Sequence, residues 1–346
     1  MLAAVVKGIK QVALEEVAKP ILQNPADVIL KVTATAICTS DVHIIDGYFP
    51  PSSPFIIGHE FIGIVEEIGE AVKMFKLGER VAAPPAPYCG ICENCRKGQF
   101  GQCMNSAIFG SGSSWGNLPG GMAEFVRIPH ADASLVRIPD EISDEQAIFV
   151  GDMLSTGYFA ADNCALKPGD AVAIFGAGPV GLCAVQTARL FAPSKIILVD
   201  IMPNRLQTGL NMGATHIINS SNQDAVSQIM EITNGQGVNA AVEAIGHPAT
   251  VNTAAQVIGV GGILSVVGLF PGNIDFPIQT LLMKNITVKV GLASLGNMRR
   301  LMSLITDKKL DTNPLITHRM PLKDFDKAYG IFERKEENVI KIILKP

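Results

Sequence analysis

Hydrophobic residues in the middle of the chain recur in short Val- and Ile-rich runs separated by helical patterns. Strands buried on both faces read as continuous apolar runs of this kind. Six such runs alternate with helices, a pattern typical of a doubly wound α/β fold with a parallel sheet. They are Ala171–Phe175, Lys195–Val199, Thr215–Asn219, Asn239–Ala244, Gly262–Val267 and Ile286–Val290.

The pattern differs before residue 150 and after residue 296. Before residue 150, short apolar runs punctuated by Gly and Pro predict an all-β unit with long loops. These runs are Ala3–Val6, Val28–Thr35, Phe61–Ile68, Arg80–Ala83, Ala123–Ile128 and Leu135–Ile138. We expect helices at Asp140–Ala147 and Met298–Thr306 and a strand at Val339–Leu344 that returns to the first unit. The predicted domains are therefore 1–150 with 297–346, and 151–296.

Composition narrows the class of protein. A chain of 346 residues with 48% hydrophobic and 17% charged residues predicts two globular domains. The net charge of −4 argues against nucleic acid or an anionic membrane as partner, and no apolar run is long enough to span a bilayer. The N-terminus carries no signal-peptide pattern, and four of seven cysteines lie close together. We expect a cytoplasmic, metal-binding protein.

A glycine motif follows the first strand of the middle region. Gly176, Gly178 and Gly181 have G-x-G-x-x-G spacing, a helix begins at once, and Asp200 ends the next strand. The glycines permit a tight turn, close approach to a pyrophosphate and helix–strand packing, while the acid accepts ribose hydroxyls and repels the extra phosphate of NADP. An ordinary βαβ turn is the alternative, but this context favours NAD. The motif residues are Gly176, Gly178, Pro179, Val180, Gly181 and Asp200.

Four cysteines predict a zinc site. Cys89, Cys92, Cys95 and Cys103 lie in one glycine-containing loop, with a spacing that can close on a tetrahedral ion. Such a site leaves no open position and would be structural. Disulfides are the alternative, disfavoured by the crowding of the cysteines and the expected compartment.

A second group of potential ligands is spread along the chain. Cys38 lies in AICTSDVHIIDG, His59 and Glu60 lie in GHEFIG, and Asp152 lies in GDMLSTGY. Taken singly, Cys38 fits a buried apolar position, His59 a core histidine and Asp152 a helix cap. Spacing alone leaves open whether these residues meet.

In combination, these motifs resemble those of the zinc-dependent, medium-chain alcohol dehydrogenases. GHE followed by F-x-G-x-V, the four-cysteine loop and GAGPVGL occur in the family's order, and the resemblance covers the whole chain. It implies a β-rich, GroES-like catalytic domain with an inserted Rossmann domain. It also implies that Cys38, His59 and Asp152 hold a catalytic zinc, the second zinc of each subunit. Glu60 would ligate this zinc when substrate or water is absent.

The resemblance assigns roles to Ser40 and His43, and their positions in the sequence suggest roles for Trp115, Thr156 and Arg205. Ser40 and His43 would relay the proton from the substrate oxygen, although a turn residue and a surface histidine are the simpler interpretations. Trp115 would line the substrate pocket, or merely pack. Thr156 would contact the nicotinamide, or cap its helix, and Arg205 would lie over the adenine, or simply be exposed.

The expected function is hydride transfer between NAD and a small secondary alcohol bound to the catalytic zinc, with carbonyl reduction as the reverse reaction. Asp152 and the CTSDVH run resemble bacterial secondary-alcohol dehydrogenases, whereas Asp200 and the four-cysteine loop depart from that subgroup. A threonine, polyol or butanediol dehydrogenase is therefore the first alternative, and a non-catalytic redox sensor binding zinc and nucleotide is a remote one. We expect a homo-oligomer, a tetramer in preference to a dimer.

Overall fold

The computed structural model of the protein describes residues 1–48 and 54–346. The chain forms two units, one made of Met1–Ser155 with Ser294–Pro346 and the other of Thr156–Ala293. These bounds differ by a few residues from those expected from the sequence.

The elements before Thr156 are mostly short. The strands are β1 (Leu2–Gly8), β2 (Gln11–Glu16), β3 (Val28–Ala36), β4 (Phe55–Ile56), β5 (Glu60–Ile68), β6 (Arg80–Ala82), β7 (Phe125–Ile128) and β8 (Val136–Arg137). The helices are α1 (Thr39–Ile45), α2 (Glu93–Arg96), α3 (Ala131–Ser134), α4 (Asp144–Ala147) and α5 (Met153–Asn163), the last of which continues into the second unit.

Strands and helices alternate from residue 171 onward. The strands of the second unit are β9 (Ala171–Phe175), β10 (Lys195–Asp200), β11 (His216–Asn219), β12 (Val238–Glu243), β13 (Ile258–Val266) and β14 (Thr287–Val290). Its helices are α6 (Pro179–Ala188), α7 (Pro203–Met212), α8 (Ala225–Ile232), α9 (Pro248–Val257) and α10 (Ile278–Met283). The chain then returns to the first unit with α11 (Met298–Thr306), β15 (Ile316–Pro321), α12 (Phe325–Glu333) and β16 (Lys341–Lys345).

Strand β3 is central to the first unit. Its β-branched sequence suits a buried strand, and apart from Lys31 and Thr33 its residues are buried. It pairs antiparallel with β5 along most of its length, with β7 at one end and with β16 at the other. The sheet order is β15-β16-β3-β5-β6-β8, and a separate antiparallel sheet has the order β2-β1-β4. The C-terminal strand is thereby hydrogen-bonded to the end of β3 that leads into Cys38.

The second unit is a parallel six-stranded sheet in the order β11-β10-β9-β12-β13-β14. Strand β9 is buried at every position and lies at the centre, where the strand order reverses direction. Dinucleotides bind outside the carboxyl ends of the strands at such a switch point. The expected doubly wound α/β fold is confirmed.

The helix predicted over Asp140–Ala147 begins later than expected. It starts at Asp144, because Ser143 and Gln146 form a capping box in which each side chain accepts the other's backbone N–H. Strands β2 and β15 and helix α12 were not predicted from the sequence. None of the described helices is both long and apolar enough to cross a membrane.

Candidate metal centres and cofactor site

Cys38 lies where β3 gives way to helix α1. It is the N-cap of α1, it is 7% exposed, and its backbone N–H donates to Asp41 Oδ2 at 2.9 Å. The capping contact fixes the direction in which the chain turns after the strand. The Cys38 thiol is therefore held at the end of β3 by local hydrogen bonding.

Pairing of β3 with β5 brings His59 and Glu60 close to Cys38. Ala36 pairs with Glu60, the first residue of β5, and Asp152 comes from the segment just before α5. One ligand atom from each of four residues lies within 4.8 Å of the other three, and these residues are Cys38, His59, Glu60 and Asp152.

The His59 ring lies between two carboxylates. Its Nδ1 is 3.0 Å from Asp41 Oδ1, and its Nε2 is 3.4 Å from Asp152 Oδ2. Burial opposes the charge of the imidazolium, but Asp41 and Asp152 outweigh burial and raise the pKa of His59 well above its ordinary value. With the Asp41 carboxylate beside Nδ1, Nε2 faces the other ligand atoms.

Glu60 forms a fully buried ion pair with Lys341. Lys341 Nζ donates to Glu60 Oε1 at 2.6 Å and to the Ile37 carbonyl at 3.0 Å, and both charged side chains are 0% exposed. Burial raises the pKa of Glu60, an effect that Lys341 opposes. Burial would lower the pKa of Lys341, but Glu60 and Cys38 more than compensate and raise it.

The cluster has the properties of a zinc site. A thiolate, an imidazole nitrogen and carboxylate oxygens are ligands that zinc prefers, and these four converge. Within the described part of the chain, Glu60 Oε2 is buried and has no hydrogen-bond partner. Because buried polar atoms are almost always paired, this oxygen is one that a cation can satisfy. The residues therefore fit a metal.

Ser40 and His43 lie on helix α1 at i, i+3 spacing, on one face. Ser40 Oγ is 3.1 Å from Cys38 Sγ and 3.1 Å from His59 Nε2, so its hydroxyl contacts the cluster directly. The half-buried His43 ring stacks on Tyr48 with centroids 4.6 Å apart. Its pKa is lowered, chiefly by burial, which favours the neutral imidazole; Asp46 opposes the shift.

The four-cysteine loop folds onto itself. One sulfur atom from each of its cysteines lies within 4.8 Å of the other three, and two of the S–S separations, 3.6 and 3.9 Å, are too long for a disulfide bond. Burial penalises the Cys89 thiolate, but backbone N–H groups of Ile91 and Cys92 lower its pKa to about 6. Convergent thiols, one of them readily ionised, fit a tetrahedral zinc ion. The members of this set are Cys89, Cys92, Cys95 and Cys103.

The glycine motif lies between β9 and α6 in the second unit. Gly176 has φ +105°, so the turn requires a glycine there. A Cβ at Gly181 would lie 1.8 Å from the Gly176 carbonyl oxygen, so close packing requires the second glycine. Gly178 has ordinary φ, and a Cβ there would meet nothing within 4 Å. Its side-chain space is open at the N-terminus of α6, a position that suits an approaching phosphate. Pro179 and Val180 begin that helix.

Asp200 ends β10 beside this turn. Its Oδ2 accepts from Ala177 N at 2.6 Å, and its Oδ1 accepts from the backbone N–H groups of Ile201 and Met202, each at 2.8 Å. Arg205 lies in the first turn of α7 and is half-buried, not exposed. Burial lowers the pKa of Arg205, and Asp200 opposes that shift. The carboxylate and the guanidinium are close enough to interact electrostatically.

Comparison with known proteins places the chain in a family. Residues 24–140 match the family described as "Alcohol dehydrogenase GroES-like domain", and residues 179–307 match "Zinc-binding dehydrogenase". An alcohol dehydrogenase of Cupriavidus necator is 35% identical over 93% of this chain and 93% of its own. The chain belongs to the zinc-dependent, medium-chain alcohol dehydrogenases.

Two further proteins similar to this chain support the assignment to the family. The solved alcohol dehydrogenase TADH from Thermus sp. ATN1 has a TM-score of 0.94 at 35% identity, covering 100% of this chain and 99% of its own. Sorbitol dehydrogenase of Bacillus subtilis is 32% identical over 100% of this chain and 97% of its own. The predicted family, its GroES-like and Rossmann folds and its zinc-dependent alcohol oxidoreductase activity are thereby confirmed.

Two more predicted site residues are Trp115 and Thr156. Trp115 is half-buried at the end of a 3₁₀ turn, Gly112–Trp115. Thr156 is half-buried in α5, at the first position of the second unit. The roles suggested for them stay predictions.

Several buried charged residues were not predicted from the sequence, among them Asp41, Lys341 and Glu243. Asp41 and Lys341 contact His59 and Glu60, as described above. Glu243, at the end of β12, is 0% exposed and accepts from Gly246 N at 2.9 Å and Thr250 Oγ1 at 2.7 Å, so it orders the loop after that strand. Only Asp41 has a local signal, its position three residues after Cys38.

Proposed function

We propose that this protein oxidises a small secondary alcohol to a ketone with NAD, and catalyses the reverse reduction. The observation that carries the proposal is the convergence of Cys38, His59 and Asp152 with the Ser40 hydroxyl at the same cluster. A redox sensor has no need of a hydroxyl at such a cluster, which argues against a non-catalytic role.

Cys38, His59 and Asp152 are the proposed ligands of the catalytic zinc. A bound zinc ion acts as a Lewis acid that favours loss of the alcohol proton and polarises a carbonyl. The Asp41 carboxylate, 3.0 Å from Nδ1, favours the proton on that nitrogen and leaves the Nε2 lone pair for the metal. A thiolate, a carboxylate and a neutral imidazole balance the charge of the ion, so the buried site is formally neutral.

Ser40 and His43 are the proposed proton relay. The Ser40 hydroxyl, already at the cluster, would contact the substrate oxygen and accept its proton. His43, kept neutral by burial, would take the proton onward toward solvent.

The glycine motif is the proposed NAD site. The open position beside Gly178 and the free N–H groups at the start of α6 support pyrophosphate binding, and Asp200 supports the choice of NAD over NADP. Arg205 would lie over the adenine and Thr156 against the nicotinamide, which accepts the hydride. The proposed motif residues are Gly176, Gly178, Pro179, Val180, Gly181 and Asp200.

The four-cysteine loop is proposed to hold a structural zinc, giving two zinc ions per subunit. Closed thiolate coordination leaves no position for substrate. The free state of all seven cysteines supports a reducing, cytoplasmic compartment.

The substrate class is proposed from the Asp152 segment, with Trp115 as a pocket wall. The similarity to sorbitol dehydrogenase supports a polyol, or a related diol or threonine, as the alternative substrate.

A homo-oligomer, with a tetramer favoured, is proposed from strand β14. This edge strand of the second unit leads to Val290 and Leu292, exposed by 69% and 51%. An exposed apolar edge strand suits pairing with a second copy.

The test is NADH formation by the purified protein with a panel of primary alcohols, secondary alcohols, vicinal diols, polyols and threonine. We expect turnover of secondary alcohols with NAD, at least tenfold lower kcat/KM with NADP, and loss of turnover after metal chelation. Preference for polyols or threonine would replace the substrate assignment. Turnover that survives complete removal of metal would refute the zinc mechanism.

A further inference from the structure

A buried carboxylate ends strand β12 in the second unit. Glu243 is 0% exposed, and it forms no ion pair in the part of the chain that the structure describes. Burial raises the pKa of Glu243, and the hydrogen bonds that the carboxylate accepts from Thr250 and from nearby backbone N–H groups oppose this rise. A buried carboxylate is costly unless hydrogen bonds satisfy its oxygens. The partners of Glu243 therefore show what its burial fixes.

These partners belong to the segment that follows β12. Glu243 Oε1 accepts from the backbone N–H groups of Ile245 at 3.1 Å and Gly246 at 2.9 Å, and it accepts from Thr250 Oγ1 at 2.7 Å. Thr250 lies in the first turn of α9, where the helix dipole favours a negative charge. A satisfied buried network of this kind specifies one arrangement of the chain. Glu243 thus fixes the path of residues 244–250.

Glu243 also joins this segment to the end of the next strand. Its backbone carbonyl accepts from Val267 N at 2.9 Å and from Gly268 N at 3.1 Å, directly after β13. A Cβ at Gly268 would clash with Glu243 Oε2 and with Gly246 N, so only glycine fits there. The segments after β12 and β13 are therefore packed together around one carboxylate.

The segment that Glu243 fixes lies against the glycine turn. Ala244 N donates to the Phe175 carbonyl at 3.0 Å, and a Cβ at Gly176 would lie 2.7 Å from Ile245 Cγ1. Ile245 is 44% exposed, so its side chain packs on the turn and also faces solvent. Strands β9 and β12 are neighbours at the switch point of the sheet, outside which dinucleotides bind. The Ile245 side chain therefore lies at the proposed cofactor site.

We propose that Glu243 is a positioning residue for the dinucleotide, which holds Ile245 against the glycine turn as an apolar wall of the cofactor site. The inference rests on the proposed NAD site. The apolar surface of Ile245 suits contact with a ring or a ribose of the nucleotide, since both surfaces leave water on binding. Without the carboxylate, the N–H groups of Ile245 and Gly246 lose their acceptor, and the segment moves to satisfy them with water.

The test measures NADH affinity, without turnover, by fluorescence titration of the purified chain. Glu243→Met keeps the length of the side chain and removes both oxygens. We expect its affinity for NADH to fall at least tenfold, because the wall is no longer held in place. Glu243→Gln keeps one acceptor for the same donors, and we expect its NADH affinity to lie nearer to wild type than that of Glu243→Met.

A double substitution separates positioning from a merely structural role. Ile245→Ala removes the wall itself, and we expect it to weaken NADH binding at least threefold. Because Glu243 acts through Ile245, the loss of NADH affinity caused by Glu243→Met should be at least threefold smaller in the Ile245→Ala background than in wild type. Ile229→Ala is the control for lost stability, since Ile229 is 0% exposed in α8 of the same unit. Its free energy of unfolding should fall, and its NADH affinity should stay within threefold of wild type.

An NADH affinity of Glu243→Met within threefold of wild type would overturn the inference, and so would an equal loss in the Ile245→Ala background or in Ile229→Ala. If Glu243→Met does not fold, Glu243→Asp decides, since its shorter side chain withdraws the carboxylate from the same N–H groups. A loss of NADH affinity of at least threefold that disappears in the Ile245→Ala background supports the inference, and any other result overturns it. Wild-type protein that does not bind NADH would instead refute the proposed NAD site.

Discussion

Replacing Asp41 with Asn should weaken zinc binding at the catalytic cluster. Asp41 is 1% exposed, and its two oxygens face two donors, the backbone N–H of Cys38 at 2.9 Å and His59 Nδ1 at 3.0 Å. An asparagine offers one acceptor and one NH₂ group to the same two donors. If the amide oxygen stays on the Cys38 N–H, the NH₂ group faces Nδ1 and favours the tautomer with the proton on Nε2. That tautomer has no lone pair on the nitrogen that faces the metal ligands.

The expected magnitude follows from this contact. Loss of an outer hydrogen-bond partner to a metal-binding histidine typically costs 10–100-fold in metal affinity. That range corresponds to about 1.4–2.7 kcal/mol. If the amide oxygen turns instead to His59 Nδ1, the capping contact to Cys38 is lost, and the free energy of unfolding should fall by ~1 kcal/mol.

The assay is competition for zinc between the protein and a chromophoric chelator, with total metal content measured in parallel. Asp27→Asn is the matched control. Asp27 is also 1% exposed, accepts two backbone N–H groups and pairs with Arg127, but it precedes β3, whereas Asp41 follows it. The nine residues of β3 separate the two aspartates by roughly 30 Å. Zinc affinity of Asp41→Asn within threefold of wild type, or an equal loss in Asp27→Asn, would refute the reasoning.

Four other substitutions test separate parts of the proposal. His43→Gln should slow alcohol oxidation at neutral pH while leaving zinc content unchanged. In wild type the rate should fall as the pH drops through the lowered pKa of His43, below its ordinary value of 6.5, because the imidazolium accepts no proton; an unaltered pH–rate profile in the variant would contradict the relay. Cys103→Ser should lose one zinc ion per subunit and reduce the free energy of unfolding by about 3–4 kcal/mol, the linkage expected for an ion several hundredfold above its dissociation constant. Denaturant unfolding with metal analysis measures this, and full retention of both ions would count against the site. Gly178→Ala should leave stability within about 0.5 kcal/mol and weaken NADH binding at least tenfold in fluorescence titration, since its Cβ would enter open space. Gly181→Ala is its counterpart: it should destabilise the second unit by about 1–3 kcal/mol, because its Cβ would clash with the Gly176 carbonyl.

The fold was predictable where the hydrophobic pattern is strong. The buried run Ala171–Phe175 and the helix Met298–Thr306 have the bounds expected from the sequence. The predicted start of α4 was wrong, because the Ser143 capping contact outweighs the helical propensity of the residues after Pro139. Strand β2 was missed because its residues are only partly buried, so their apolar signal is weak.

The candidate site was less predictable than the fold. Spacing identified the four-cysteine loop, because its ligands are neighbours in the chain. The resemblance was required for Cys38, His59 and Asp152, since their meeting depends on pairing between β3 and β5 and on the start of α5. Lys341 had no signal at all. A closing strand was expected there, but its register against β3 decides which side chain lies beside Glu60, and one residue of slip would turn the lysine to the other face.

The glycine motif shows which part of a sequence fingerprint argues for a ligand. Gly176 is required by its positive φ, and Gly181 is required by contact with the Gly176 carbonyl, so both would be needed in a βαβ unit that binds nothing. Gly178 has neither requirement: its φ is −71°, and its Cβ position is empty. A residue with a side chain would fit the fold there and would lower the entropy of the unfolded chain. The case for a dinucleotide in this unit therefore depends on Gly178, together with the carboxylate of Asp200 beside the same turn.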